Sequence, residues 1–147
     1  MKLNHLKNYP EIIKLLNRKS WTKKRFAENL IKKNFLQNET EAIIEQAQKL
    51  GLINDDQWVK VYISKKNVEI KSNRAIKHYL IQEGICKKII DKNINKRNDR
   101  EACINALKYK KKRIPEKKQD YQKILYNYLL NRGFSSEMIY ELLKIEQ

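Results

Sequence analysis

The chain has 147 residues, with 33 Lys and Arg against 17 Asp and Glu for a formal net charge of +16; 41% of residues are hydrophobic and 34% charged. That is enough apolar material for a modest core, and its periodic spacing argues against disorder. The length bounds one domain or a few small modules. No apolar run nears the ~18 residues of a membrane span, and the N-terminus lacks a signal peptide's apolar core, so a cytoplasmic setting with reduced, core-buried Cys86 and Cys103 is expected.

Taken in order, Met1 to Tyr9 is polar and expected to fray. Pro10 suits the first turn of a helix whose buried side is Ile12, Ile13, Leu15 and Leu16. Thr22 is the next N-cap; its helix buries Phe26, Ala27 and Leu30, exposes Lys24, Arg25, Glu28 and Lys32, and ends at Asn34. Residues 36–39 read as a polar loop. Thr40 and Glu41 start a third helix with the stripe Ile43, Ile44, Ala47 and Leu50, stopped by Gly51. Asn54 or Asp55 caps a fourth, with acid at its positive end, and Trp58, Val59, Tyr62 and Ile63 define one face. Residues 66–71 are polar and irregular. Ser72 caps a fifth helix with Ile76, Tyr79 and Leu80 inside and Arg74, Lys77 and His78 outside or flanking. A sixth follows with Cys86, Ile89, Ile90 and Ile94. After a polar joint at 95–101, Cys103, Ala106 and Leu107 mark a seventh helix running into Lys110–Arg113. Tyr121, Ile124, Leu125, Tyr128 and Leu129 recur at helical spacing in the eighth. Ser135 or Ser136 caps the last, which buries Ile139, Leu142 and Leu143.

One phrase punctuates this series. Leu80–Ile85 carries apolar residues, Gly84 and an apolar follower; Leu129–Phe134 repeats it around Gly133, and Leu30–Phe35 is a degraded copy around Asn34. Each is a helix C-cap, where glycine or asparagine enters the left-handed region most cheaply. The turn positions lie 50 and 49 residues apart, a period that signals a repeat array. The expectation is an all-α protein of three tandem three-helix repeats, residues 1–53, 54–98 and 99–147, in an elongated, curved array. Each set is read as too small to bury its own stripes, so stability is expected from stacking between neighbours. Each segment holds eleven Lys or Arg, which points to a long polyanionic partner rather than one pocket.

These residues resemble the RecX family, regulators of the RecA recombinase. The resemblance rests on Leu15–Arg18 through Leu30 to Phe35; on Leu50-Gly51-Leu52-Ile53-Asn54-Asp55-Asp56-Gln57-Trp58 with Val59, Tyr62 and Ile63, continuing to Ile76, Leu80, Gly84 and Ile85; and on Leu129–Phe134 with Ile139. It spans nearly the whole chain. Departures are Asn34 for the usual turn glycine, Tyr79-Leu80 for Glu-Leu, Ser72 or Asn73 near a usual glycine, and Arg25 where a capping-box acid is usual, a cation at an unfavourable helix end. The resemblance implies a non-enzymatic regulator that binds the RecA–DNA filament, lies in its groove and suppresses ATP hydrolysis and strand exchange, with direct contact to single- or double-stranded DNA in some members. A monomer without membrane association is expected.

The densest basic run, Lys110, Lys111, Lys112 and Arg113, suits phosphate contact or a solvated linker. Lys23, Lys24, Arg25, Lys32 and Lys33 on one second helix, Arg74 and Lys77 on the next, and Arg132 before the third turn would form a stripe along the array. Trp58 and Tyr62 suit base stacking, but their spacing beside Val59 and Ile63 favours the core; Trp21 is a hydrophobic staple or a partner contact. His5 and His78 lack companion ligands, Asp55-Asp56 is explained as cap and dipole complement, and no phosphate loop, nucleophile elbow or zinc spacing occurs. No catalytic residue, metal or cofactor is expected. The alternatives are a sequence-independent DNA- or RNA-binding helical repeat with no recombinase target and a helix-turn-helix transcription factor.

Overall fold

The computed structural model describes residues 6–146. His5 and the rest of Met1–His5 lie outside the described residues. A 3-10 turn (Leu6–Asn8) precedes α1 (Pro10–Arg18), α2 (Lys23–Lys32), α3 (Gln37–Lys49), α4 (Asp55–Ile63), α5 (Asn73–Gln82), α6 (Lys87–Ile94), α7 (Asp99–Lys111), α8 (Tyr121–Asn131) and α9 (Ser136–Glu146); the described residues contain no strand.

The caps set these boundaries. Thr22, Asn54, Ser72, Asn98 and Ser135 each accept an N–H from the first turn of the helix they open, at 3.0–3.2 Å. At the other ends, Asn34 (φ 71°), Gly84 (φ 78°) and Gly133 (φ 93°) are left-handed. Behind each, the N–H of Phe35, Ile85 or Phe134 returns to the carbonyl of Leu30, Leu80 or Leu129 at 3.2, 3.1 and 3.3 Å, the paired-bond C-terminal motif that such a residue permits.

Three separate apolar clusters form. The first gathers Leu6, Ile12, Leu16, Phe26, Leu30, Ile43, Ile44, Ala47 and Ile53. The second holds Val59, Tyr62, Val68, Ile76, Leu80, Ile85 and Ile90. The third is built on Cys103, Leu107, Leu125, Leu129, Phe134 and Ile139. Extensive helix packing stays inside each trio: α2 on α3, α4 and α5 on α6, and α7, α8 and α9 on one another. Each fully buried Leu or Ile contributes about 1.5–3 kcal/mol relative to exposure, so each trio has its own apolar support. This corrects the expectation that the stripes are buried mainly between neighbours: the trios meet largely through polar contacts. The accessible area is 10073 Å², against roughly 8,000 Å² for a compact monomer of this mass, as an extended arrangement would expose.

Other expectations are revised. Leu6 is 2% exposed and donates its N–H to Gln46 Oε1 at 2.6 Å, so residues 6–9 are tied to α3 rather than frayed. α3 begins at Gln37, because the Glu39 carboxylate accepts the Leu36 N–H at 3.1 Å, which leaves Thr40 buried inside the helix. Leu50 is 61% exposed, since it is the C-cap residue of α3 and points away from the cluster, and Tyr79 is 36% exposed on the rim of a cleft. Cys103 is buried, and that burial pushes its thiol up to about 12, but Cys86 is exposed because it sits at the N-cap of α6. Asp120 enters α8 with φ 62°, which no sequence pattern announces.

Candidate functional site

The polar seams between trios decide which cations are free. Between the first and second, Asp55 at the start of α4 accepts the N–H of Lys23, the first residue of α2, at 2.9 Å. Between the second and third, Asp99 at the start of α7 accepts the N–H of Asn73, the first residue of α5, at 2.7 Å. A carboxylate thus meets the positive end of a neighbouring trio's second helix in both places.

The seams then diverge. In the first, Arg25 forks onto Glu83, with Nε 2.9 Å and Nη2 2.7 Å from the two carboxylate oxygens. Glu83 is nearly buried, and hydrogen bonding to Arg25 holds its carboxyl below the ordinary range. Lys24 lays its stem over Gly84 and donates Nζ to the Gln82 carbonyl at 2.9 Å. Arg25 therefore corrects two expectations: it is not an unfavourable helix-end cation, because Glu83 neutralises it, and neither it nor Lys24 is an uncommitted contact.

In the second seam Ala75 occupies the place of Arg25, and Arg132 occupies the place of Glu83 before the turn glycine. The Ser72 N–H donates to the Arg132 carbonyl at 3.3 Å, and Ser72 and Ala75 crowd against Gly133. Within the second trio, Arg97 donates to Asn73 Oδ1 at 2.6 Å and to the Val68 carbonyl at 2.8 Å, which ties the end of that trio to the start of α5.

The Arg132 guanidinium is left 5.1 Å from the Tyr128 ring. It lines a cleft of about 830 Å³ with Lys66, Lys71, Lys108, Lys112 and Arg113. Among the described residues, Glu69 is the one carboxylate on its wall. Aromatic rings brace the cations: Arg113 stacks 3.5 Å over Tyr109 and donates to its carbonyl at 2.9 Å, and Lys110 lies 5.1 Å over Tyr128. The result is a concavity whose charged lining is six cations against one carboxylate.

In the run Lys110–Arg113, Lys110 and Lys111 end α7, Lys112 is its C-cap and Arg113 follows the cap, the last two exposed. Lys112, Arg113 and Arg132 come together in the cleft; Lys110 and Lys111 lie on the adjoining turn. Lys23 and Lys33 are exposed, and Lys32 lines a different cleft between the first two trios. Arg74 and Lys77 share a third hollow beside Gly133, where Lys77 Nζ is 3.6 Å from Asp91. Sequence reasoning missed Lys66, Lys71 and Lys108. Lys108 precedes Lys112 by one helical turn, a signal that was available; Lys66 and Lys71 sit in a loop whose approach to α7 no local pattern reveals.

The aromatics separate as well. Tyr62 is buried, parallel to Trp58 at 5.6 Å and near-parallel to Tyr79 at 4.9 Å. Trp21 packs edge-on against Phe26 at 5.2 Å and donates Nε1–H to the Leu15 carbonyl at 3.0 Å, a staple onto the first cluster. Asp56 ties α4 to α6 through Asn93 at 2.9 Å and Lys92 at 3.3 Å; with Lys60, these hold its carboxyl well below the ordinary range. Among the described residues no His, Cys, Asp and Glu cluster of metal-binding size occurs, and no helix is long and apolar enough to cross a membrane.

No family model matches the chain. It is 28% identical over 147 residues to the regulatory protein RecX of Clostridium beijerinckii, covering 96% of this chain and 68% of that one. It is 27% identical over 134 residues to that of Caldanaerobacter subterraneus, covering 90% and 66%, and so spans about two thirds of the length of these curated relatives. The crystal structure of RecX from Lactobacillus salivarius superposes with a TM-score of 0.74 at 19% identity, over 96% of this chain and 95% of that one. At that identity the likeness is one of all-α fold.

Proposed function

Because the chain belongs to the RecX family of regulatory proteins, we propose that it is a non-enzymatic regulator of the RecA recombinase. It binds the RecA–DNA filament and lowers its ATPase and strand-exchange activity. The observation that carries this reading is a match along 96% of the chain in both sequence and fold. The charge supports it: a filament that coats nucleic acid presents phosphate and acidic protein surface, and +16 spread over an extended body complements both. The three trios, residues 1–53, 54–98 and 99–147, are tandem copies of one unit in a curved array that acts as a cytoplasmic monomer.

Lys66, Lys71, Lys108, Lys112, Arg113 and Arg132 are the contact to phosphate or to an acidic face of the filament. The test is the single-stranded-DNA-dependent ATPase of the cognate RecA. Added protein lowers it in a saturable manner; an unchanged rate at saturating protein removes the inhibitory reading.

The cleft's cations also favour a second reading, a sequence-independent nucleic-acid binder with no recombinase target. Gel shifts on bare DNA across a salt series separate the two. Tight binding to naked DNA with no preference for filaments supports the second.

A further inference from the structure

We propose that the cleft between α2, α4 and α5 is a nucleobase pocket, taking one unstacked base of a nucleotide or single strand. It goes beyond the phosphate contact above and does not depend on a recombinase.

The cleft measures about 520 Å³, in the range of small-ligand sites. Three of its walls are aromatic: Trp21, Trp58 and Tyr79. Trp58 is half-buried with Tyr62 parallel to it, so a flat ligand would extend an existing stack. The second observation is a buried orphan. Asn29, one turn after Arg25 on α2, lines the cleft, and its Oδ1 is buried with no hydrogen-bond partner among the described residues. A buried amide oxygen without a donor is costly. A base amine or imide N–H is a donor on a flat ring, and supplies both missing contacts once the Asn29 amide turns about χ2 to bring its shielded oxygen to the cleft.

The charges select against other occupants. Lys19, Arg25 and Lys32 line the cleft against Glu28 and Glu83; Arg25 and Glu83 neutralise each other, which leaves Lys19 and Lys32 against Glu28. A Lys or Arg side chain from a protein partner would enter a field of its own sign. A bare phosphate would leave the aromatic walls and Asn29 unmatched. A base carrying phosphate matches the rings, the amide oxygen and the surplus cations together.

The test uses the unaltered full chain, whose two tryptophans, Trp21 and Trp58, both line the cleft and report on it. It is titrated with a short single-stranded oligodeoxynucleotide and with an abasic phosphodiester of the same length. The base-bearing strand is expected to quench tryptophan emission saturably, and the abasic strand to bind without quenching. Asn29→Ala should weaken the base-dependent part roughly tenfold, the value of one hydrogen bond. It should leave the thermal midpoint equal or higher, because it removes an unpaired buried oxygen. Equal quenching by the abasic strand, or an unchanged base-dependent affinity in a folded Asn29→Ala variant, overturns the proposal. The Lys108→Glu/Lys112→Glu variant should weaken both strands alike while quenching at saturation persists; loss of quenching there counts against the pocket.

Discussion

The two seams between trios start from one plan and end differently. Each places an aspartate, Asp55 or Asp99, on the first N–H of a neighbouring second helix. The first seam then consumes its cations internally: Arg25 is held by Glu83, and Lys24 by Gly84 and the Gln82 carbonyl. The second seam uses small residues, Ser72 and Ala75, against Gly133, and leaves Arg132 to join a cationic cleft. Exchanging an ion pair for close packing thus converts structural charge into available charge. The number of lysines and arginines cannot distinguish these two fates.

The largest expected effect comes from the available charge. Lys108→Glu with Lys112→Glu should weaken binding to single-stranded DNA or the filament by about 10–100-fold at low salt. The salt-dependence slope should become shallower by roughly 0.7–0.9 for each phosphate the variant no longer neutralises. Helicity should be unchanged, since neither side chain belongs to the buried core. Affinity and slope equal to wild type would dissociate the cleft from binding.

Packing at the seams comes next. Gly133→Ala should cost about 2–3 kcal/mol by urea unfolding, combining left-handed backbone strain of about 1 kcal/mol with a Cβ driven into the buried Ser72 hydroxyl that caps α5. Gly84→Ala meets the Lys24 stem at 2.6 Å, part of which can swing aside, and should cost about 1–2 kcal/mol. Gly51→Ala meets nothing within 4 Å and should cost about 1 kcal/mol, the backbone strain alone. Equal losses at all three would show that the seams add nothing to the turns.

Removing the shared device sharpens the comparison. Asp99→Ala, which breaks a partly buried bond, should cost about 1–2 kcal/mol, and Asp55→Ala, at an exposed bond, about 0.5–1 kcal/mol. Thermal unfolding of the pair checks the order; a reversal would mean that the second seam rests on the Ser72–Arg132 bond and the packing on Gly133 rather than on Asp99.

The smallest effect is acid sensitivity of the first seam. Glu83 titrates below its ordinary value of 4.5 because Arg25 holds its charged form. The unfolded chain therefore takes up the proton first as pH falls, so the stabilisation is present above about 4.5 and is lost progressively below it. Glu83→Gln should flatten that part of the stability–pH curve, whereas Lys77→Ala, which removes an exposed pair, should leave it in place.

The helices, their caps and the left-handed turns at Asn34, Gly84 and Gly133 were legible because they depend on local spacing and on backbone conformations that few residues adopt. The start of α3 was not, because its cap is a side chain reaching back from Glu39 where the sequence shows no polar N-cap residue. The candidate site was legible as composition only. Lys112, Arg113 and Arg132 were singled out, but Arg25 and Lys24 were grouped with them, since Glu83 lies 58 residues away from Arg25 and no local pattern pairs them. Lys66 and Lys71 reach the cleft through the fold of a loop. Pairing at long range decides whether a surface cation is available, and single-chain periodicity carries no information about it.

The central claim is that this chain restrains a recombinase filament through the free cations of its second seam. The most direct measurement compares wild type with Lys108→Glu/Lys112→Glu in the single-stranded-DNA-dependent ATPase of the cognate RecA at moderate salt. Saturable inhibition by wild type and a large loss of inhibition in the variant is the predicted result. An ATPase rate unaffected by saturating wild-type protein, or inhibition identical in the variant, would contradict it.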